Sequence, residues 1–316
     1  MLAVLSPGQG AQKPGFLTPW LAVDGVSDQL RQWSALTGVD LVHLGTDADA
    51  EEIKDTAKTQ PLLTAAALIA AAQLPLPAVC VVAGHSVGEL GAAVIAGALR
   101  ADDAIALAGV RGNEMAAACA LEPTGMAAIL GGAEDEVLAA IATCGLYPAN
   151  RNGAGQIVAA GALDGIDKLA GEPPAKARVI KLQVAGAFHT PYMAPAEAAL
   201  TGFAGKITPA DPTRTLLQNA DGAAVTAGPE LLSRLVQQVT APVRWDLVMG
   251  RFAELGVTGV LELPPAGTLA GLVKRELKGL PGGIDIVTVN TPDDLAAARD
   301  LIERHGASPA IEGASA

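Results

Sequence analysis

The chain has 316 residues, enough for one large domain or for a large domain that carries a small insert. Half of the residues are apolar but only 3% are aromatic, so the core has to be built mainly from Ala, Val and Leu packed at close helix–sheet distances. Thirty-three acidic against 21 basic side chains leave a formal charge of −12, which argues against binding to nucleic acid or to an anionic membrane surface.

Leu2 to Leu5 is a short apolar run ended by Ser6-Pro7-Gly8-Gln9-Gly10, which reads as a buried strand entering a Gly-rich turn. The Ala/Leu-rich stretch from Gln60-Pro61 to Gln73 suits a buried helix, with Pro61 near its first turn, where a missing N–H costs little. The wider apolar stretch Leu62–Val82 is interrupted by Gln73, Pro75 and Pro77 before it reaches the roughly 20 residues of a membrane span. Ala78 to Ala83 reads as a strand, Gly84 to Glu89 as a tight turn, and the following Ala/Leu/Ile pattern through Leu99 as a helix. A second helix follows from Asp102 to Ala120, with Arg111 in its interior.

From Met126 the elements shorten. An apolar run to Leu130, a helix from about Ala133 to Thr143, a Gly/Asn-rich region leading to Gln156–Ala159, a helix over 163–171 and a run from Arg178 to Val184 follow a β-α-β-β-α-β-like order. Residues 123–188 therefore read as a small inserted α+β subdomain. The chain returns through Phe188-His189, a helix after Pro191 and a strand at Val260–Leu263, and its tail from Ser308 has a composition that predicts disorder.

Cys80, Cys119 and Cys144 are odd in number and lack metal-ligand spacing, so reduced and mostly buried thiols are expected and no metal site is. With no basic n-region and no apolar stretch of signal-peptide length at the N-terminus, the expected location is the cytoplasm.

Gly84-x-Ser86-x-Gly88 between a strand and a helix puts one hydroxyl on a sharp turn flanked by residues small enough for the backbone to fold back. The helix start aims free N–H groups at the same place, and the N–H of Val87 is the expected oxyanion donor. A serine nucleophile needs a base, and the candidates are His43, His85, His189 and His305. His85 adjoins the serine and should point away from it, and the segments of His43 and His305 carry no other chemical signal. His189 is left.

The order Pro7-Gly8-Gln9-Gly10, Gln60-Pro61, Gly84-His85-Ser86-Val87-Gly88-Glu89, Arg111-Gly112, Asn152 to Gln156, Gly186-Ala187-Phe188-His189, Pro242-Val243-Arg244-Trp245 and the 265–272 segment resembles the malonyl-CoA:acyl-carrier-protein transacylases of fatty-acid and polyketide synthesis. The resemblance implies Ser86 as the acylated residue, His189 as its base, and the backbone carbonyl of Gln238 as the group that orients the imidazole. It implies Gln9 as the second oxyanion donor, beside Val87. Arg111 becomes the residue that selects malonyl, through two parallel hydrogen bonds to its carboxylate, and Phe188 the residue that favours malonyl over methylmalonyl. Ala241, Gly153-Ala154 and Pro264-Pro265-Ala266-Gly267 depart from the family pattern.

The expected fold class is thus α/β. A large α/β-hydrolase-like domain with a mostly parallel sheet, residues 1–122 and 189–307, would carry a ferredoxin-like α+β insert at 123–188, followed by a disordered tail at 308–316. The expected activity is ping-pong transfer of malonyl from malonyl-CoA to the phosphopantetheine thiol of an acyl carrier protein by a monomer with no tightly bound cofactor. The alternatives are a serine thioesterase or hydrolase with the same turn, and a non-catalytic binding module. Carrier proteins are acidic, so docking on this acidic chain calls for a local basic surface, with Arg178, Lys181, Arg214, Lys274 and Arg275 as candidates.

Overall fold

A computed structural model describes residues 1–280 and 282–306; the tail expected to be disordered lies outside the described residues. In chain order the elements are β1 (Leu2–Ser6), α1 (Val26–Thr37), α2 (Leu41–Thr46), α3 (Thr56–Ala72), β2 (Val81–Gly84), α4 (Gly88–Ile95) and α5 (Ala101–Cys119). Then come β3 (Thr124–Gly131), α6 (Glu134–Thr143), β4 (Tyr147–Arg151), β5 (Gln156–Ala162), α7 (Leu163–Gly171) and β6 (Ala177–Lys181). The chain continues through α8 (Ala194–Ala204), β7 (Thr215–Leu217), β8 (Ala224–Val225), α9 (Gly228–Gln237), α10 (Trp245–Glu254), β9 (Gly259–Glu262), α11 (Thr268–Glu276), β10 (Asp285–Thr288) and α12 (Leu295–His305).

The larger sheet has the order β10-β9-β1-β2-β7-β8, with every pair parallel except β7 with β8. Side chains of β1 alternate between its two faces, as a pleated strand requires. Leu2 and Val4 enter one core, built largely on α3, α4 and α5, while Ala3 and Leu5 enter a second core with Trp245, Phe252 and Leu272 of α10 and α11. Strands buried on both faces read as continuous apolar runs, which is why β1 and β2 stand out in the sequence.

The smaller sheet is antiparallel with the order β4-β5-β3-β6, the strand arrangement of a ferredoxin-like unit. Ala127, Ile129 and Ile157 pack under α6 and α7, whereas Met126, Ala128 and Val158 belong to the main core. Backbone hydrogen bonds from Arg151 N to Val243 O and from Val243 N to Ala149 O, each 2.8 Å, tie this sheet to the segment before α10.

Several boundaries differ from those the sequence suggested, among them three in the segment from α3 to α4. Helix α3 starts at Thr56, because the Asp55 side chain caps the Ala57 N–H at 3.0 Å, so Pro61 lies inside the helix and not in its first turn. Helix α4 ends at Ile95, not Leu99: the chain reverses at Gly97, whose φ of 80° favours glycine. Strand β2 begins at Val81, not Ala78.

Candidate active site

Parallel strands β1 and β2 both end at one edge of the sheet, where the turns carrying Gln9 and Ser86 meet. Ser86 has φ 54°, a left-handed conformation that costs a non-glycine residue on the order of 1–3 kcal/mol. The turn can close because its flanking residues lack side chains. A Cβ on Gly84 would stand 2.1 Å from the Gly88 carbonyl, and one on Gly88 would stand 2.2 Å from Ser6 O.

The Ser86 hydroxyl lies 2.8 Å from His189 Nε2. His189 Nδ1 is 2.9 Å from Gln238 O, and since a carbonyl only accepts, Nδ1 bears the ring proton and Nε2 is free to take one. His189 also has a left-handed backbone, φ 60°, held by a bond from its N–H to Val239 O. Burial, then the Arg111 charge, lowers its pKa to about 3, against the pull of its bond to Gln238. The imidazole is therefore neutral at rest.

Arg111 is 3% exposed and points into the same site from α5. Its Nη1 donates to Gln60 Oε1 at 2.6 Å, and its Nη2 donates to Gln238 Oε1 at 2.7 Å and to Ser86 Oγ at 3.2 Å. No carboxylate among the described residues pairs with it directly. Burial lowers its pKa to about 10, partly offset by Glu89, so it stays cationic at neutral pH.

Glu89, in the first turn of α4, is buried, and burial pushes its pKa up to about 8. It accepts hydrogen bonds from Asn219 N at 2.6 Å and from Gln238 Nε2. His85 turns away from the nucleophile, as expected. Its Nε2 meets Asn152 Oδ1 at 3.0 Å, its ring stands edge-on to Trp245, and burial lowers its pKa.

A cavity of about 360 Å³ opens onto this cluster, lined by Gln9, Ser86, Val87, Arg111, Phe188 and His189 among others. Within the described residues, the N–H groups of Gln9 and Val87 make no hydrogen bond to the protein, so two donors beside Ser86 are left available. The far wall comes from Met126 and Val158 of the smaller sheet, and Thr268, Leu269 and Leu272 of α11 close another side.

The acyl transferase domain family matches residues 5–291. This chain belongs to the acyl transferase family. It is 54% identical over 306 residues to the malonyl CoA-acyl carrier protein transacylase of Mycobacterium tuberculosis, covering 95% of this chain and 100% of that one. To the Escherichia coli K12 protein of the same name it is 33% identical over 309 residues, covering 95% and 99%. The crystal structure of MCAT from M. tuberculosis superposes with a TM-score of 0.90 at 52% identity, covering 94% of this chain and 98% of that one. A type II PKS acyl-carrier protein in complex with its malonyl-transacylase matches at a TM-score of 0.86 and 28% identity, over 95% and 99%.

The cluster thus brings together the residues expected for catalysis and substrate contact: Ser86, His189, Gln9, Val87, Arg111, Phe188 and Gln238. Four of its polar partners had no assigned role. Gln60 gave a readable signal, a lone amide in an Ala/Leu run, and Glu89 and Asn152 lie within recognised motifs. Asn219 gave none, since its Gln-Asn-Ala-Asp-Gly setting reads as an ordinary loop.

Arg214 does not belong with the docking candidates. It lies at the opposite, N-terminal edge of the larger sheet, and its guanidinium is bound to the carbonyls of Leu76, Pro77 and Ile95. Lys181 is paired with Asp167, whereas Arg178, Lys274 and Arg275 are exposed and form no ion pair among the described residues. Likewise among the described residues, no helix is long and apolar enough to cross a membrane, and no cluster of metal-ligating side chains occurs.

Proposed function

We propose that this chain transfers a malonyl group from malonyl-CoA to the phosphopantetheine thiol of an acyl carrier protein, through a malonyl ester on Ser86. The observation that carries the reading is the meeting of three groups at one oxygen: Ser86 Oγ, with His189 Nε2 at 2.8 Å and Arg111 Nη2 at 3.2 Å. The named activity of the relatives supports the reaction class.

In the first half-reaction the malonyl carboxylate binds the Arg111 guanidinium, and His189 Nε2 takes the Ser86 proton as Oγ attacks the thioester carbon. The N–H groups of Gln9 and Val87 hold the oxyanion. The C–S bond breaks, and His189 returns its proton to the departing coenzyme A thiolate. In the second half the carrier thiol gives its proton to His189 and attacks the Ser86 ester; the C–O bond breaks and Oγ recovers the proton. Gln238 O stabilises the transient imidazolium as an acceptor without a full negative charge beside an anionic substrate.

Phe188, 7% exposed on the cavity wall, is the residue we assign to discrimination against a methyl on the malonyl carbon. Lys274 and Arg275, on the last turn of the helix whose start lines the cavity, are the proposed contact for the acidic carrier, and Arg178 is a second candidate. The site is complete within one chain, which supports a monomer needing no tightly bound cofactor. Three free thiols suit the cytoplasm.

Initial-velocity kinetics with both substrates varied test the scheme: parallel double-reciprocal lines are expected, and intersecting lines contradict a malonyl-enzyme intermediate. Malonate release that is as fast without carrier protein as with it would mark a hydrolase instead.

A further inference from the structure

The Glu89 side chain does not line the cavity and its only bond to Ser86 is from its backbone N–H to the Ser86 carbonyl at 2.9 Å, yet each of its carboxyl oxygens is engaged. Oε1 accepts from the backbone N–H of Asn219 at 2.6 Å, and Oε2 accepts from Gln238 Nε2. The two residues it holds are the ones that hold the site. Asn219 Oδ1 accepts the N–H of Ser86 at 2.7 Å, and Asn219 Nδ2 donates to Gly84 O at 2.7 Å, so this side chain spans the nucleophile turn. Gln238 receives His189 Nδ1 on its backbone carbonyl and Arg111 Nη2 on its Oε1.

We infer that Glu89 is a positioning residue, a buried carboxylate that fixes the Ser86 turn through Asn219 and the His189–Arg111 pair through Gln238. This rests on the proposed roles of Ser86, His189 and Arg111. The polarity of the network is set by its ends. Arg111 can only donate, so Gln238 must turn Oε1 toward it and Nε2 away, and a backbone N–H is also only a donor. Position 89 therefore has to accept at both oxygens, which the ionised carboxylate does, whereas an amide or the neutral acid sets a donor against one of the two. Gln238 thereby joins a buried guanidinium to a buried carboxylate through one amide. Charges out of water are retained only where such partners satisfy them.

Glu89→Gln keeps the volume but places an NH₂ group against one of the two donors. One contact must break, and either loss loosens the alignment of Ser86 with its base. The full-length Glu89→Gln variant is compared with wild type at about pH 9, where Glu89 is ionised, by thermal midpoint, by kcat and KM, and by the rate at which phenylmethylsulfonyl fluoride inactivates it. That neutral probe reports on Ser86 and His189 without using carboxylate recognition.

A folded variant is expected to lose about tenfold or more in kcat, since small misplacements of reacting groups have effects of that size, with the inactivation rate falling in parallel. An unchanged inactivation rate, or a kcat within twofold of wild type, overturns the inference. If Glu89→Gln does not fold, Glu89→Gln/Gln238→Glu, which again sets a donor opposite an acceptor, is measured the same way. Restored folding with restored inactivation supports the inference; restored folding without it, or no restored folding, overturns it. Wild-type inactivation and its loss in Ser86→Ala judge the site itself, whereas the ratio of variant to wild type judges Glu89, so the two readings fail separately.

Discussion

Asn219 and Ser86 are 133 positions apart, yet the Asn219 side chain accepts the Ser86 N–H at 2.7 Å and donates to the Gly84 carbonyl at the same distance. A turn strained at Ser86 is thus braced from the end of a neighbouring strand. Asn219→Ala takes these partners from a part-buried N–H and a buried carbonyl, which should destabilise the protein by about 1–3 kcal/mol in a denaturant titration. With the turn unbraced, kcat is expected to fall about a hundredfold.

Arg111 has two amide acceptors, Gln60 and Gln238, to hold its plane. Arg111→Ala should lower kcat/KM for malonyl-CoA by about a hundredfold or more, because two charge-assisted bonds to the substrate carboxylate are lost. Its effect on acetyl-CoA, which has no such carboxylate, should be far smaller. Arg111→Lys should fall in between, since one ammonium does not reproduce the fork. Steady-state kinetics with the two thioesters check this.

A neutral His189 makes its own prediction. With its pKa lowered to about 3 by burial and by Arg111, the base is in its active form well below the usual histidine range. The profile of kcat/KM against pH should therefore show no fall centred near 6.5 on the acid side, down to the pH at which the protein unfolds. For stability the sign follows from the unfolded chain, which takes up the proton at higher pH than the folded one. This contribution is complete above about 6.5 and is lost as pH falls toward 3.

Glu89 acts in the opposite sense. Its folded pKa, raised to about 8, makes the folded state the better proton binder, so stability declines as pH rises from the unfolded carboxylate range through 8. The groups acting on it are the Asn219 N–H, Arg111, Gln238 and the more distant Arg234, all of which favour the anion but do not outweigh burial. Chemical denaturation of wild type and Glu89→Gln across this range should show a shallower decline in the variant.

A second buried carboxylate, Glu262 at the end of β9, accepts the N–H groups of Gly267, Leu269 and Ala270, which caps the start of α11. Glu262→Ala strips partners from three N–H groups at a helix start that lines the cavity. A loss of about 1–3 kcal/mol is expected by urea titration.

The parts of the molecule that could be read in the sequence are those in which one short segment carries its own physical reason. Strands β1 and β2 are buried on both faces and are therefore continuous apolar runs, and the Gly-x-Ser-x-Gly turn needs its glycines for closure. The cap at Asp55 is masked in the sequence because Pro61 reads as a helix start. Asn219 and the pairing of Glu89 with Gln238 were not legible, since such contacts exist only once distant strands align. The exclusion of Arg214 has the same origin. Only the sheet shows which edge a loop cation occupies.

Intact-mass analysis of the protein mixed with malonyl-CoA, in the absence of carrier protein, tests the central claim most directly. Wild type should gain one malonyl group, and Ser86→Ala should gain none. Unmodified wild type, or the same adduct on both proteins, would contradict acyl transfer through Ser86.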